Sequence, residues 1–400
     1  MVSGSEKSFN DGPNLMAWSN GILVCGFYGY HNLGDEAMLM GLRHWLRRCG
    51  CDFPLTVYSK DPEDTRQRHG VKVLDNRYAP RRRAQLQKWI RHRVAISTHR
   101  FFILGGGDLL RDAPDRDVAG EWLQPLEQAL WFRKRTLVLG ISVGKLWRPE
   151  TKACIKAALN QVDLIAVRDR TSRQRLLDLG VTQPVHIMSD LALEALTPVD
   201  RRSTGINIGI SVRPVAGRNG QTSNTNFYQH LATLADQLVE SHGATVHLFP
   251  FQAYPDEFRQ WHQPPVDDET AIAQVFRLSR YPERLNPLPR ISSLDELTQR
   301  ISQLDVMVGT RLHAVILAAG LGVPVVAIEY APKVRGVMEA INQGPWSIPL
   351  EDFTESQALE RINAILRDAL IVRQQLKQGV HQYRTLMGDV DAALKQLILM

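Results

Sequence analysis

A chain of 400 residues, 44% hydrophobic and 22% charged, exceeds what one hydrophobic core usually serves, so two globular domains are the first expectation. With 48 basic against 42 acidic residues the formal charge is +6, mild for this length, and no nucleic-acid motif accompanies it; nucleic acid is excluded as a partner. The four cysteines, Cys25, Cys49, Cys51 and Cys154, form no CxxC pair and read as reduced thiols of a cytoplasmic protein.

Residues 1–20 are polar, carry Gly, Ser and Asn, and lack the apolar core of a signal peptide or membrane span; they read as a disordered lead. A strand follows at 21–25, then a helix at 34–48 and short strands at 55–58 and 72–74. From Arg81 to Arg93 basic residues interleave with Leu86, Trp89, Ile90 and Val94 at near-helical spacing. This reads either as a solvated helix with a buried apolar stripe or as a basic helix resting on anionic headgroups at the inner face of the plasma membrane. Apolar runs at 101–104, 136–139, 164–167 and 185–188 are buried strands, with a charged helix at 171–179. Strands apolar on both faces and separated by helices imply a parallel sheet, giving a first domain over 21–197.

The polar stretch 196–204, with Pro198, marks a boundary. A second alternating series occupies 205–354: strands at 206–212, 245–249, 305–308 and 325–328, with helices at 227–240, 293–302 and 312–319. The Pro-rich middle, 252–290, reads as loops with short helical pieces. Residues 355–400 look helical throughout, as two helices packing back on the first domain. The fold class is α/β, two doubly wound, Rossmann-like domains facing across a cleft.

Chemistry-bearing residues gather where strands end. After the first strand come Gly26, Gly29, Asn32, Gly34 and Asp35, at spacings that are not a dinucleotide fingerprint. Asn32 and Asp35 suit either helix capping or hydrogen bonds to a polyhydroxyl ligand. Gly105, Gly106 and Gly107 form a thin cleft wall ending in Asp108; Asp108 and Asp112 are either hydroxyl ligands or solvated carboxylates. Arg168 is the first residue beyond its apolar run and points to the cleft mouth, unless an ion pair with Asp169 or Asp190 claims it. Most informative is Gly309-Thr310-Arg311-Leu312-His313-Ala314, followed by Gly322-Val323-Pro324 and Lys333. Arg offers a planar fork, Lys a compact charge and His a group titrating near neutrality, a set that fits a multiply charged small anion whose chemistry needs a proton.

These segments, in this order and together with Val167-Arg168-Asp169 and Ser189-Asp190, resemble the polysaccharide pyruvyl transferase family, specifically its CsaB-type bacterial branch, over about residues 21–340. The resemblance implies a fold like the GT-B glycosyltransferases. It also implies transfer of an enolpyruvyl-derived group from phosphoenolpyruvate to two hydroxyls of a cell-envelope sugar, giving a cyclic ketal and phosphate without a cofactor or metal. Carried over, the phosphoenolpyruvate site is Arg168, Arg311, Leu312 through its backbone, His313 and Lys333. The acceptor side is Gly29, Asn32, Asp35 and Gly105 to Asp108. His313 is the expected proton-transfer group, Asp35 a second candidate as hydroxyl base, and Arg311 an aid to catalysis. The chain departs from relatives at Gly140-Ile141-Ser142-Val143-Gly144-Lys145, where a Gly-x-Gly-Pro-like turn is common, and at Asp108, where Ser is common.

Two other readings stand beside it. A nucleotide-sugar glycosyltransferase of the same fold would use Glu329 to grip a ribose; a non-catalytic sugar-binding or assembly protein would keep the glycines but lose Arg, His or Lys, all of which are here.

Overall fold

The computed structural model describes residues 21–79, 81–112, 117–196, 204–214, 223–261 and 266–399; the lead at 1–20 and the boundary at 197–203 lie outside them. The first sheet holds seven strands: β1 (Ile22–Cys25), β2 (Leu55–Ser59), β3 (Lys72–Asp75), β4 (Phe101–Leu110), β5 (Arg135–Val143), β6 (Leu164–Val167) and β7 (Val185–Ile187). The second holds six: β8 (Asn207–Ser211), β9 (Thr245–Phe249), β10 (Leu285–Pro287), β11 (Val306–Gly309), β12 (Val325–Glu329) and β13 (Ser347–Pro349). All pairings within them are parallel. Every residue of β1, β6 and β11 is buried, because helices cover both faces; this is why those runs carry no polar alternation.

Strand order is β3-β2-β1-β4-β5-β6-β7 and β10-β9-β8-β11-β12-β13. In each sheet the chain winds outward from the first strand and then crosses back to its other side. The crevices between β1 and β4, and between β8 and β11, are therefore switch points where loops part and a ligand can enter. The chain is α/β and doubly wound twice over, as the alternation predicts.

Three differences from the sequence reading have physical causes. The glycine run does not end β4: it continues through Gly105, Gly106 and Gly107 to Leu110, with a register shift against β5. Gly106 and Gly107 take φ of 77° and 87°, a left-handed bulge that side chains oppose, so apolarity alone stops the strand too early. The region 252–290 contains a regular helix, Asp268–Leu278, capped by Asp267, and the short edge strand β10. The C-terminal segment is three helices, Glu355–Arg367, Ala369–Thr385 and Met387–Leu399, rather than two.

The last two of these return to the first domain. Asp391 accepts from Trp45 Nε1 at 2.6 Å and from Arg48 at 2.8 Å, and Arg384 donates to the Leu193 carbonyl at 2.8 Å. Trp45 itself is fully buried, worth a few kcal/mol in area removed from water. The domains also touch directly, since Leu33 N–H donates to Phe251 O at 2.8 Å and Asn32 bridges to Gln252.

Candidate functional site

Between the two sheets lies a cavity of about 710 Å³, and the C-terminal ends of the strands supply its walls. Beyond β1, the Leu33–Arg48 helix brings Asn32 and Asp35; β4 brings Gly107 and Asp108; the turn after β6 brings Arg168. From the second domain come Arg213 after β8, Arg311, Leu312 and His313 after β11, and Tyr330 and Lys333 after β12.

Each cation is held differently. Arg168 is almost wholly buried at the cavity floor; its Nη1 meets Asp190 at 3.2 Å and its Nε donates to Ser142 Oγ at 2.6 Å. The Ala369–Thr385 helix secures this pair: Tyr383 donates its hydroxyl to Arg168 O and accepts the Asp190 N–H. Arg311 is clamped by buried Asp268 through both Nε and Nη2, and its Nη1 reaches Gln252. The loop carrying it is pinned by Thr310, which donates N–H and hydroxyl to Ser211 at 2.8 and 2.7 Å. Lys333, at the start of its helix, lies 3.4 Å from Asp108 of the facing domain. Arg213 stacks its guanidinium 4.1 Å over the Tyr330 ring. Burial alone would raise the Tyr330 phenol, but Lys333, Arg213, Arg311 and Arg168 outweigh it and bring the pKa below its ordinary value.

Two titratable groups sit at opposite extremes. Burial, reinforced by Arg168, Lys333 and Arg311, pulls His313 down to about 4 against the attraction of Asp190, 3.8 Å from Nε2. That Nε2 is buried without a hydrogen-bond partner. Burial and neighbouring Glu36 push Asp35 up to about 8, against Arg168 and Lys333. Near neutral pH the histidine is therefore a free base and the aspartic acid a proton donor, the separation that divides acid from base work. The imidazole packs against the residue just before Asp35: a Cβ on Gly34 would lie 2.0 Å from His313 Nδ1, so only glycine lets the second-domain ring seat on the first-domain helix.

The structure brings most of the sequence-derived set together. Asn32, Asp35, Gly107, Asp108, Arg168, Arg311, Leu312, His313 and Lys333 all line the cavity. Asn32 also caps its helix, accepting from Gly34 N–H at 3.0 Å. Gly29, Gly105 and Gly106 stand behind the wall: Gly29 N–H donates to Glu36, and Gly105 O accepts from Tyr28. Asp112 is neither a cavity ligand nor solvated. It is buried, accepting the N–H groups of Trp147 and Arg148. Glu329 is ion-paired with Arg335 at 3.1 Å and does not line the cavity. The sequence reading missed Arg213, Tyr330 and an aromatic wall in which Phe27 stacks on Tyr30 at 3.8 Å and meets Trp122 edge-on. Among the described residues no group of three or more His, Cys, Asp or Glu could hold a metal ion.

Two doubly wound domains with a cationic, acid–base-bearing cavity at their paired switch points define a GT-B-like architecture. The fold agrees with solved structures at low identity. A Rickettsia africae glycosyltransferase superposes with TM-score 0.56 at 12% identity, over 96% of this chain and 99% of that one. The UDP-GlcNAc 2-epimerase of Methanocaldococcus jannaschii gives 0.56 at 8% identity, over 86% and 92%. The S. aureus MnaA–UDP structure gives 0.59 at 9%, over 94% and 97%. The family is set by sequence: the polysaccharide pyruvyl transferase model matches residues 32–332, and the chain belongs to that family. It is also 28% identical to the amylovoran biosynthesis protein AmsJ of Erwinia amylovora, over 93% of this chain and 98% of AmsJ. The match is to the family as a whole; the CsaB-type branch read from the motifs is carried no further. No described helix is long and apolar enough to cross a membrane.

Proposed function

We propose that the chain transfers the enolpyruvyl-derived group of phosphoenolpyruvate onto two hydroxyls of a polysaccharide-building sugar, forming a cyclic pyruvate ketal and releasing phosphate. The observation that carries this reading is the convergence of Arg168, Arg213, Arg311 and Lys333 on one cavity that also holds an unpartnered, neutral His313. A donor with a carboxylate and a phosphate matches that charge, and guanidinium forks suit both groups.

The balance of protons follows from the two titrations. Asp35, protonated near neutrality, gives its proton to the methylene carbon C3, and C2 becomes an oxocarbenium-like electrophile. The first sugar hydroxyl adds to C2 while His313 takes its proton. The second hydroxyl then closes the ring, its proton returning to the Asp35 carboxylate, and phosphate leaves with the proton held by His313. Both groups end as they began. Asp35 thus acts as the acid, and His313 as the base, from opposite domains. The aromatic wall of Phe27, Tyr30 and Trp122 suits the apolar face of a sugar ring on the acceptor side.

A nucleotide-sugar glycosyltransferase loses its ribose-gripping carboxylate, because Glu329 is engaged by Arg335 outside the cavity. Thermal denaturation with phosphoenolpyruvate against UDP, GDP and CMP separates the two. A ligand at 100 times its Kd stabilises by about 2.7 kcal/mol. Stabilisation by a nucleotide and none by phosphoenolpyruvate would overturn the proposal; phosphate release with candidate acceptors, and a ketal methyl signal in the product, would complete the test.

A further inference from the structure

The Arg82–Thr98 helix buries only Ala95 and Ile96, so its apolar stripe is not core. Leu86, Trp89, Ile90 and Val94, with Tyr78 before the helix and Trp131 on its neighbour, are between 42% and 73% exposed. Isolated exposed side chains need no explanation, but six large ones on two adjacent helices and the chain leading into them form a patch that does. A groove of about 270 Å³ runs among Tyr78, Lys88, Trp89 and Pro125.

The charge on the Arg82–Thr98 helix has one sign. Arg81, Arg82, Arg83 and Arg91 are exposed, and the helix contains no Asp or Glu. Arg93 lies over the Trp89 and Trp131 rings at 4.7 and 5.2 Å, tying the two indoles into one basic, aromatic surface. On the adjacent Val118–Trp131 helix, Glu127 is the acid besides cavity-lining Glu121. A second copy of the chain seated here would oppose like charges across a two-fold axis, since such an interface places the same patch on both sides.

We propose that this face docks on the surface of an anionic phospholipid bilayer. The indoles and Tyr78 sit at headgroup level, the aliphatic side chains enter the acyl boundary, and the arginines meet lipid phosphates. The Val118–Trp131 helix, about 20 Å long at 1.5 Å per residue, joins this face to the site. Its first turns put Val118 and Trp122 in the cavity wall and its last residue, Trp131, in the patch. Docking therefore presents the aromatic, acceptor side of the cavity near the bilayer, where a lipid-carried sugar would be met. The donor chemistry plays no part in the docking itself.

The test is sedimentation of the full chain with vesicles of phosphatidylcholine alone and of phosphatidylcholine mixed with phosphatidylglycerol. Binding to the mixed vesicles only, declining with salt, is expected. Arg82→Glu with Arg83→Glu weakens it by roughly tenfold or more, each surface cation being worth several-fold. Trp89→Ala with Ile90→Ala also lowers it, and both pairs leave the thermal transition in place because the altered residues are exposed. Equal binding to both vesicle types, no binding at all, or binding indifferent to the Trp89 and Ile90 change overturns the proposal. So does a wild-type dimer in sedimentation velocity that these substitutions dissociate. Vesicle binding is read without turnover, so its failure is distinct from failure of the proposed reaction.

Discussion

Asp35→Asn is the most informative single perturbation, because it swaps a buried carboxyl for an amide of the same shape. In the folded protein Asp35 titrates at about 8, against 3.8 for the ordinary group. Between those values the native state holds a proton that the unfolded chain has released. Stability contributed by this group is thus complete below the unfolded pKa and is lost as pH rises, by about 1.4 kcal/mol per pH unit, until the folded pKa is passed. The substituted amide does not titrate in this range. The stability difference, variant minus wild type, should therefore grow by about 2 kcal/mol between pH 6 and pH 8 and then level off. Urea unfolding of both proteins at a series of pH values measures it, and other titrating groups cancel in the difference. Parallel stability curves would refute the assignment of a buried, protonated Asp35. In the same variant turnover should fall by about 10² to 10⁴, the usual value of a positioned acid, while phosphoenolpyruvate still binds; normal turnover would remove Asp35 from the chemistry.

Other outcomes follow from neighbouring contacts. His313→Ala loses most turnover yet retains donor binding, whereas near-wild-type activity would dismiss it as the base. In wild type, kcat/KM should rise with pH through the His313 value near 4 and fall above the Asp35 value near 8; a profile without either limb would contradict both roles. Gly34→Ala, whose new Cβ would overlap the imidazole, should approach His313→Ala in kcat while leaving the first domain folded by circular dichroism. Asp268→Ala takes the buried partner from the partly exposed Arg311 and should cost about 3 kcal/mol, the low end for a broken buried pair, along with a raised KM for phosphoenolpyruvate; an unchanged unfolding midpoint would show the clamp to be unimportant.

Where the sequence was legible, a one-dimensional signal existed. Buried parallel strands announce themselves as apolar runs, and the first charged residue beyond each run, as at Arg168 and Arg311, is delivered to the strand's C-terminal end by geometry alone. The same rule applied to the strand at 206–212 points at Arg213, but its weight depends on strand order. Only when β8 is known to adjoin β11 does Arg213 stand beside Arg311 at a switch point. Phe27, Tyr30 and Trp122 were illegible for another reason: scattered aromatics look like core until three-dimensional packing turns them toward a cavity. The pKa inversion of Asp35 was hidden as well. A short acid in a first helical turn reads as a dipole partner, and nothing local says that burial, with Glu36 beside it, will outweigh Arg168 and Lys333 and keep it protonated.

The cations that depress His313 are the same ones offered to the donor, and this couples binding to base strength. Arg168, Lys333 and Arg311 repel a proton on the imidazole, and burial adds to them. An anion with both carboxylate and phosphate groups set among those side chains offsets most of their combined charge near Nε2, leaving Asp190 as the attraction that then counts. His313 should therefore become a stronger base only when the donor is in place, which confines proton abstraction to the loaded site. Calorimetric titration of phosphoenolpyruvate in buffers of different ionisation heat, below neutral pH, should register net proton uptake on binding. The uptake should shrink in His313→Ala, and shrink less in Lys333→Met, which removes one of the repelling charges while lowering donor affinity. Uptake that is identical in wild type and His313→Ala would place the proton elsewhere and separate the donor site from its proposed base.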